Sequence, residues 1–282
     1  MLCPNCGEDG LSNSCETCPN CGVYIPSIMR DMLAIGTILR QGTYRIDGIL
    51  GRGGFGVTYQ AFHLKLAKSV AIKEYYPQDF AIRNSSNGEL KVRTTYENVY
   101  RRTQERFIRE GRILANLHHE NIVRVHDLFE ERGTAYLVMD LLSGKTLRQE
   151  LDAQPEKKLS SVQIQNIMEP LVDGLDAVHQ AGVFHLDLKP ENVMLLPDGQ
   201  VILLDFGAAR LGISKNSTQP FTAEYAAPEV IAGQDVGASS DIFELGMMLY
   251  EMLTGELPPS ALSRLIKDTW QPIHLEEPWQ SL

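Results

Sequence analysis

The feature that most constrains this 282-residue chain is a set of acids, an amide and a cation in its second half. It consists of HLDLKPEN at His185–Asn192 and, thirteen residues after Asn192, DFG at Asp205–Gly207. Phosphoryl transfer needs one carboxylate to orient the attacking hydroxyl, oxygen ligands for Mg²⁺ and a cation to neutralise the phosphoryl group. The spacing therefore predicts this chemistry. The candidate catalytic residues are Asp187, Lys189 and Asn192, and the candidate magnesium ligands are Asn192 and Asp205.

A glycine-rich turn and a strand lysine precede this set of residues. The segment Gly51–Val57 lies between two strand patterns, and its glycines let backbone amides approach phosphate oxygens without obstruction by a Cβ atom. The run Val70–Lys73 then places a lysine on an apolar strand, where it can reach nucleotide phosphates. A buried lysine needs a partner. We expect that partner to be Glu110, on the amphipathic helix predicted over residues 96–117.

Taken in order, these motifs resemble those of the eukaryotic-type protein kinase family, and especially its bacterial members, over about residues 44–270. The resemblance implies an α+β fold with a small antiparallel sheet lobe, residues 44–139, and a helical lobe, residues 140–282. It also implies a protein kinase that uses ATP and Mg²⁺ and acts on a protein substrate, with Lys189 and Thr222 favouring Ser/Thr over Tyr acceptors. The implied nucleotide-binding residues are Leu50, Gly51, Gly53, Gly56, Val57, Ala71, Lys73, Glu110, Met139 and Leu142.

The sequence departs from the family pattern in two places, and each departure leads to a prediction. Leu186 stands where the family has an arginine before the catalytic aspartate, so activation by phosphorylation of the following loop is not expected. The chain ends at Leu282, before the point where the family's last helices are expected. This predicts either a fragment of a longer protein or a shortened second lobe. We therefore expect Glu229 to lack its usual arginine partner. We also expect exposed apolar surface around Ile242–Leu253, which a missing segment or a partner would cover.

All five cysteines lie within the first 21 residues, where the pentapeptide CPNCG occurs at Cys3–Gly7 and again at Cys18–Gly22. Two such turns supply four thiolates in a tetrahedron, the arrangement that Zn²⁺ prefers. A rubredoxin-like iron site and a reactive or disulfide-forming cluster are the alternatives, and Cys15 is a possible substitute ligand. We predict a zinc-knuckle module over residues 1–24 and a linker over residues 25–43. The predicted zinc ligands are Cys3, Cys6, Cys18 and Cys21.

Composition restricts the possible partners. The chain has 26 Lys and Arg against 36 Asp and Glu, a formal charge of −10, which disfavours nucleic acid as a partner. No apolar run approaches the roughly 20 residues of a membrane span. The first residues also lack the basic and apolar regions of a signal peptide. We therefore expect a cytoplasmic protein with no membrane segment.

Two other functions were weighed against protein phosphorylation. A pseudokinase scaffold that only binds nucleotide would have a degraded lysine, aspartate or asparagine, and none of these is degraded here; only the short carboxyl end favours it. A small-molecule kinase of the aminoglycoside-kinase type shares the His-x-Asp motif and the metal aspartate. That class lacks the Ala-Pro-Glu segment, which this chain has at Ala227–Glu229.

Overall fold

The chain divides into two compact units. The computed structural model describes residues 12, 15–29, 31–53, 56–84, 86–206 and 224–270. The first unit takes in residues 1–116 and 124–141, and the second takes in residues 117–123 and 142–282. No helix among the described residues is both long and apolar enough to span a lipid bilayer.

The first unit is built on a six-stranded antiparallel sheet. Its strands are β1 (Ile38–Leu39), β2 (Tyr44–Gly53), β3 (Gly56–His63), β4 (Lys68–Tyr75), β7 (Val125–Glu131) and β8 (Thr134–Asp140). Their order in the sheet is β1-β2-β3-β4-β8-β7. The central strand, β4, is buried at every position from Val70 to Tyr75, because both of its faces are covered there.

One face of this sheet is covered by the predicted amphipathic helix, which is α2 (Glu97–Asn116). The buried side of α2 includes Tyr100, Phe107 and Leu114, and the helix packs against β7 and β8. Apolar residues recurring at helical spacing among charged ones explain why this segment is a helix with a single buried face.

The opposite face is covered by two short segments. One is the hairpin of β5 (Ala81–Arg83) and β6 (Leu90–Val92), and the other is the stretch 31–39, which follows the short helix α1 (Ile25–Met29) and ends in the edge strand β1. Leu33 and Leu39 in that stretch are buried. We call residues 31–39 and 81–92 together the cap.

The second unit is mainly helical. It contains α3 (Leu147–Ala153), α4 (Ser161–Gln180), α5 (Pro228–Ala232), α6 (Ala238–Thr254) and α7 (Ala261–Ile266). A small sheet is formed by β9 (Lys145–Thr146), β10 (Val193–Leu195) and β11 (Val201–Leu203). Helices α3 and α4 both begin with a capping box, in which Thr146 and Ser160 pair with the glutamine three positions later.

The structure bears on two expectations about the second unit. Glu229 is half-buried and accepts a hydrogen bond from Ser240 Oγ at 2.5 Å, so a serine within the unit is a partner of this carboxylate. The lack of an arginine partner for Glu229 stays a prediction. Because α6 packs against α4, four of its apolar residues between 242 and 253 are buried: Leu245, Met247, Met248 and Met252. Phe243, Leu249, Tyr250 and Leu253 are half-buried, and Ile242 is 55% exposed, so the expected exposed apolar surface is present only in part. Exposed apolar side chains also occur on α7, at Leu265 and Ile266. A partner or further segment over the second unit stays a prediction.

Candidate active site

The acid, cation and amide predicted from HLDLKPEN lie together in the loop between α4 and β10. Lys189 Nζ is 2.8 Å from Asp187 Oδ2. Asn192 donates from Nδ2 to the Asp187 carbonyl oxygen at 2.8 Å and lies 3.3 Å from Oδ2. The Asp187 side chain keeps 28% of its surface exposed, so its carboxylate is held in place but open to a substrate.

A fully buried carboxylate on α6 holds the backbone of this loop. Asp241 accepts hydrogen bonds from the amides of His185 at 2.9 Å and Leu186 at 2.7 Å, and its Oδ2 is 2.7 Å from His179 Nε2. Leu186 has a φ of +59°, in the left-handed region that a leucine rarely adopts. The bonds from Asp241 stabilise this strained turn immediately before Asp187.

A second α6 carboxylate, Glu244, was not singled out from the sequence. It is 1% exposed and accepts a hydrogen bond from the Leu188 amide at 2.7 Å. The loop backbone is therefore hydrogen-bonded to α6 on both sides of Asp187. The sequence signal for Glu244 was its position three residues after Asp241, because this spacing puts both acids on one face of a helix.

His185 links the loop to the segment that carries Asp205. Its Nε2 is 2.8 Å from the Leu204 carbonyl oxygen, which can only accept, so Nε2 carries the proton. Nδ1 is then free to accept from the Asp187 amide, at 3.4 Å. Leu204 in turn donates its amide to the Asn192 carbonyl oxygen at 2.8 Å. The Asn192 and Asp205 segments are therefore tied together, and their oxygen donors suit Mg²⁺.

In the first unit, Lys73 and Glu110 are each 8% exposed. On β4, Lys73 is paired with Leu137 of β8, so both side chains project to the same face of the sheet. A Cβ atom on Gly111, the residue after Glu110, would lie 3.0 Å from Leu137 Cδ1. Helix α2 therefore packs on the face of the sheet that carries Lys73, and the pairing of Lys73 with Glu110 stays a prediction.

The glycines of the glycine-rich turn at Gly51–Val57 differ in whether the fold requires them. A Cβ atom on Gly56 would lie 2.2 Å from the Glu74 carbonyl oxygen on β4, so the sheet itself requires glycine there. At Gly51 and Gly53 an added Cβ would meet no described atom within 4 Å. The fold therefore does not demand these two glycines, and the open space above them leaves room for a phosphate.

The other predicted nucleotide contacts lie on neighbouring strands. Val57 on β3 is fully buried, and Ala71 on β4 is paired with Met139 on β8. Leu50 lies on β2 with Gly51 and Gly53. All of these belong to the first unit, whereas Leu142 belongs to the second.

Comparison with known proteins decides the family. Residues 44–275 match the family described as Protein kinase domain. The chain belongs to the protein kinase family. It is 34% identical to a probable serine/threonine-protein kinase, pknA2 of Bifidobacterium longum, over 77% of this chain and 27% of the relative. It is 33% identical to the serine/threonine-protein kinase PknA of Mycobacterium tuberculosis, over 84% of this chain and 52% of the relative. The chain thus spans about a quarter to a half of these relatives.

Solved kinase structures share the fold. The apo form of PpkA-294 is 31% identical with a TM-score of 0.72, covering 86% of this chain and 85% of that one. The kinase domain of M. tuberculosis PknI is 27% identical with a TM-score of 0.63, covering 86% of this chain and 82% of that one. The predicted α+β protein kinase fold is therefore confirmed.

Leu186 marks a departure of this kinase domain from its family. The side chain that replaces the usual arginine is 2% exposed and packs in an apolar cluster with Ala226, Ala227 and Val230. The catalytic loop is thus joined to the Ala-Pro-Glu segment by apolar contact. Predicted residues Gly207 and Thr222, which lie in the intervening loop, fall outside the described residues.

The described part of the cysteine-rich segment contains one of the two predicted knuckles. Gly22 has a φ of +70° and donates its amide to the Cys18 carbonyl oxygen at 2.9 Å, closing the Cys18–Gly22 turn. Cys18 is buried against Ile25, and Cys21 is exposed. Cys3 and Cys6 lie outside the described residues, and no group of three or more His, Cys, Asp or Glu side chains in the described part could hold a metal ion.

Proposed function

We propose that this chain is a Ser/Thr protein kinase that transfers the γ-phosphoryl group of ATP to hydroxyls of a protein substrate. The observation that carries the proposal is the arrangement of Asp187, Lys189 and Asn192, held by the buried carboxylates Asp241 and Glu244. Lys189 and Thr222 favour Ser/Thr over Tyr acceptors by resemblance. The bacterial relatives, named Ser/Thr kinases, support the same acceptor class.

In this mechanism, Lys73 holds the α- and β-phosphates and Glu110 holds Lys73 in place. Asp187 orients the substrate hydroxyl and accepts its proton. The hydroxyl oxygen bonds to the γ-phosphorus while the bond from that phosphorus to the bridging oxygen breaks, which releases ADP. Lys189 offsets the charge on the transferring group. Asp205 and Asn192 would hold Mg²⁺, and the metal would supply neutralisation of charge on the phosphate oxygens.

Phosphate transfer by matched aspartate variants tests the proposal. Labelled transfer from ATP·Mg²⁺ to the chain itself and to a Ser/Thr-rich protein is measured for the wild type, Asp187→Asn and Asp198→Asn. Asp198 is exposed in the β10–β11 turn, where Asn keeps the acceptor for the Gln200 amide. We expect Asp187→Asn to lose about 10²- to 10⁴-fold in rate, with ATP affinity nearly unchanged. Asp198→Asn should match the wild type.

The outcomes separate the functions. Transfer by Asp187→Asn at the wild-type rate would contradict the proposal. A wild type that binds ATP·Mg²⁺ but transfers nothing would favour the pseudokinase scaffold. Transfer to an aminoglycoside but to no protein would favour the small-molecule kinase. Phosphoamino-acid analysis should show phosphoserine or phosphothreonine.

We further propose that residues 1–24 form a structural zinc module with Cys3, Cys6, Cys18 and Cys21 as ligands. Four thiolates suit zinc, and the closed Cys18–Gly22 turn is typical of a metal knuckle. Metal analysis of the full chain should give one zinc per chain, reduced in Cys18→Ser and retained in Cys15→Ser. Loss of zinc in Cys15→Ser alone would assign Cys15 as a ligand instead.

A further inference from the structure

Glu74, the residue after Lys73 on β4, is a buried carboxylate that the kinase chemistry does not use. It has no exposed surface, and its Oε2 lies 2.5 Å from Arg83 Nη2. It also accepts hydrogen bonds from the Tyr59 hydroxyl at 2.9 Å and the Tyr136 hydroxyl at 2.8 Å. Successive side chains on a strand alternate between faces. Glu74 therefore projects away from Lys73, toward the cap.

Arg83 connects this carboxylate to both parts of the cap. Its side chain is 2% exposed. Nε donates to the Asp31 carbonyl oxygen at 2.8 Å, and Nη1 donates to the Gly88 carbonyl oxygen at 2.7 Å. The Tyr59 hydroxyl adds a further link by accepting the Leu33 amide at 3.1 Å. One ion pair thus ties the stretch 31–39 and the hairpin to the strand that carries Lys73.

The charges in this cluster depend on each other. Burial disfavours the charge on Arg83, but Glu74 together with Tyr59 and Tyr136 outweighs burial and raises the pKa of the guanidinium. Burial, with the nearby negative charge of Glu74, raises the pKa of Tyr59 and of Tyr136, so both remain hydroxyl donors. Removing one member of a buried ion pair leaves an uncompensated charge, which costs far more than losing a surface pair.

We propose that Glu74 and Arg83 are positioning residues for Lys73, and that the cap helps to position this lysine through its contacts with them. The inference rests on the proposed function for the role of Lys73. Because Glu74 adjoins Lys73 on the buried part of β4, a shift of β4 toward or away from the cap displaces the lysine. The stretch 31–39, predicted to be part of a linker, contacts the Glu74 cluster through Asp31 and Leu33.

Four variants of the full chain test the positioning role: Arg83→Met, Glu74→Gln, their combination, and Tyr136→Phe. Arg45→Met is the matched control, since Arg45 forms an exposed ion pair with Asp47 on β2 of the same sheet. Transfer rate, dissociation constant for ATP·Mg²⁺ and Tm are measured, with rates taken well below the lowest Tm. ATP binding needs no transfer, so the test stands even if the wild type proves inactive.

We expect Arg83→Met to lower the transfer rate or ATP·Mg²⁺ affinity at least about tenfold and to lower Tm. The double variant removes both charges, so its Tm should recover, but its transfer or affinity should not, because the bonds to Asp31 and Gly88 remain lost. Tyr136→Phe removes one hydrogen bond and should give a smaller loss. Recovery of function together with Tm, or wild-type function in every variant, would overturn the inference.

Discussion

At the residue scale, the backbone of the loop that carries Asp187 is held by two buried acids of α6. Asp241 and Glu244 accept three backbone amides between them on either side of Asp187. A charged acceptor makes such bonds stronger than neutral ones. They hold Leu186 in its left-handed conformation, which places the neighbouring Asp187 carboxylate beside Lys189.

The position of Glu244 leads to a prediction about rate. Glu244→Ala leaves the buried Leu188 amide without its acceptor, a loss of about 1–3 kcal/mol. We expect kcat to fall about tenfold while KM for ATP changes little, because the loop and not the nucleotide contacts is disturbed. Glu244→Gln keeps an acceptor oxygen and should restore much of the rate.

Glu169→Ala on α4 is the control, since Glu169 is exposed and bonds only to Gln165 among the contacts resolved for it. Steady-state kinetics for the three variants provide the comparison. An unchanged kcat in Glu244→Ala would show that the Leu188 contact does not position the loop.

At the element scale, the glycine-rich turn combines a packing constraint with a binding role. Gly56→Ala would force a Cβ atom onto the Glu74 carbonyl of β4 and should destabilise the first unit by about 2 kcal/mol or more. Gly51→Ala meets open space, so Tm should not fall, but the methyl group should obstruct the approach of phosphate and raise KM for ATP. Thermal melts and ATP titrations of both variants distinguish the two roles.

Equal effects of the two substitutions on Tm would contradict this division.

The same turn shows how an element combines local and distant constraints. Its strand and turn pattern is local, but the need for glycine at position 56 comes from a strand that begins twelve residues later, at Lys68.

At the scale of the whole molecule, buried tyrosines link stability to alkaline pH. Burial raises the pKa of Tyr100 to about 12, whereas an unfolded tyrosine titrates near 10. Above pH 10 the unfolded chain therefore loses protons that the folded chain keeps. Stability that is fully present below pH 10 declines as pH rises toward the folded pKa, by about 1.4 kcal/mol per pH unit for such a tyrosine. Tyrosines with a raised pKa are Tyr44, Tyr59, Tyr75, Tyr76, Tyr100, Tyr136 and Tyr225.

We therefore expect Tm to fall steeply between pH 10 and pH 12, with most phenolate absorbance appearing only on unfolding. Tyr100→Phe should reduce the slope of Tm against pH. Full ionisation of the tyrosines at pH 11 in a chain that stays folded would contradict the expectation.

The proximity of the candidate catalytic residues could be predicted from sequence because the proposed chemistry demands fixed residue types at short spacing, while their catalytic roles stay a proposal. Asp187, Lys189 and Asn192 lie within six residues, and a single loop brings them together. The amphipathic pattern that predicted α2 is equally local, since it needs only an apolar stripe at helical spacing.

Tertiary structure alone decided which buried polar groups support the site. Glu74 is joined to Tyr136, 62 residues away, and Glu244 to Leu188, 56 residues away, so neither partner can be read from spacing. The same is true of Ser240, whose hydroxyl donates a hydrogen bond to Glu229. A buried polar group needs a partner, but packing selects which one, because desolvation penalises every arrangement that leaves it unpaired.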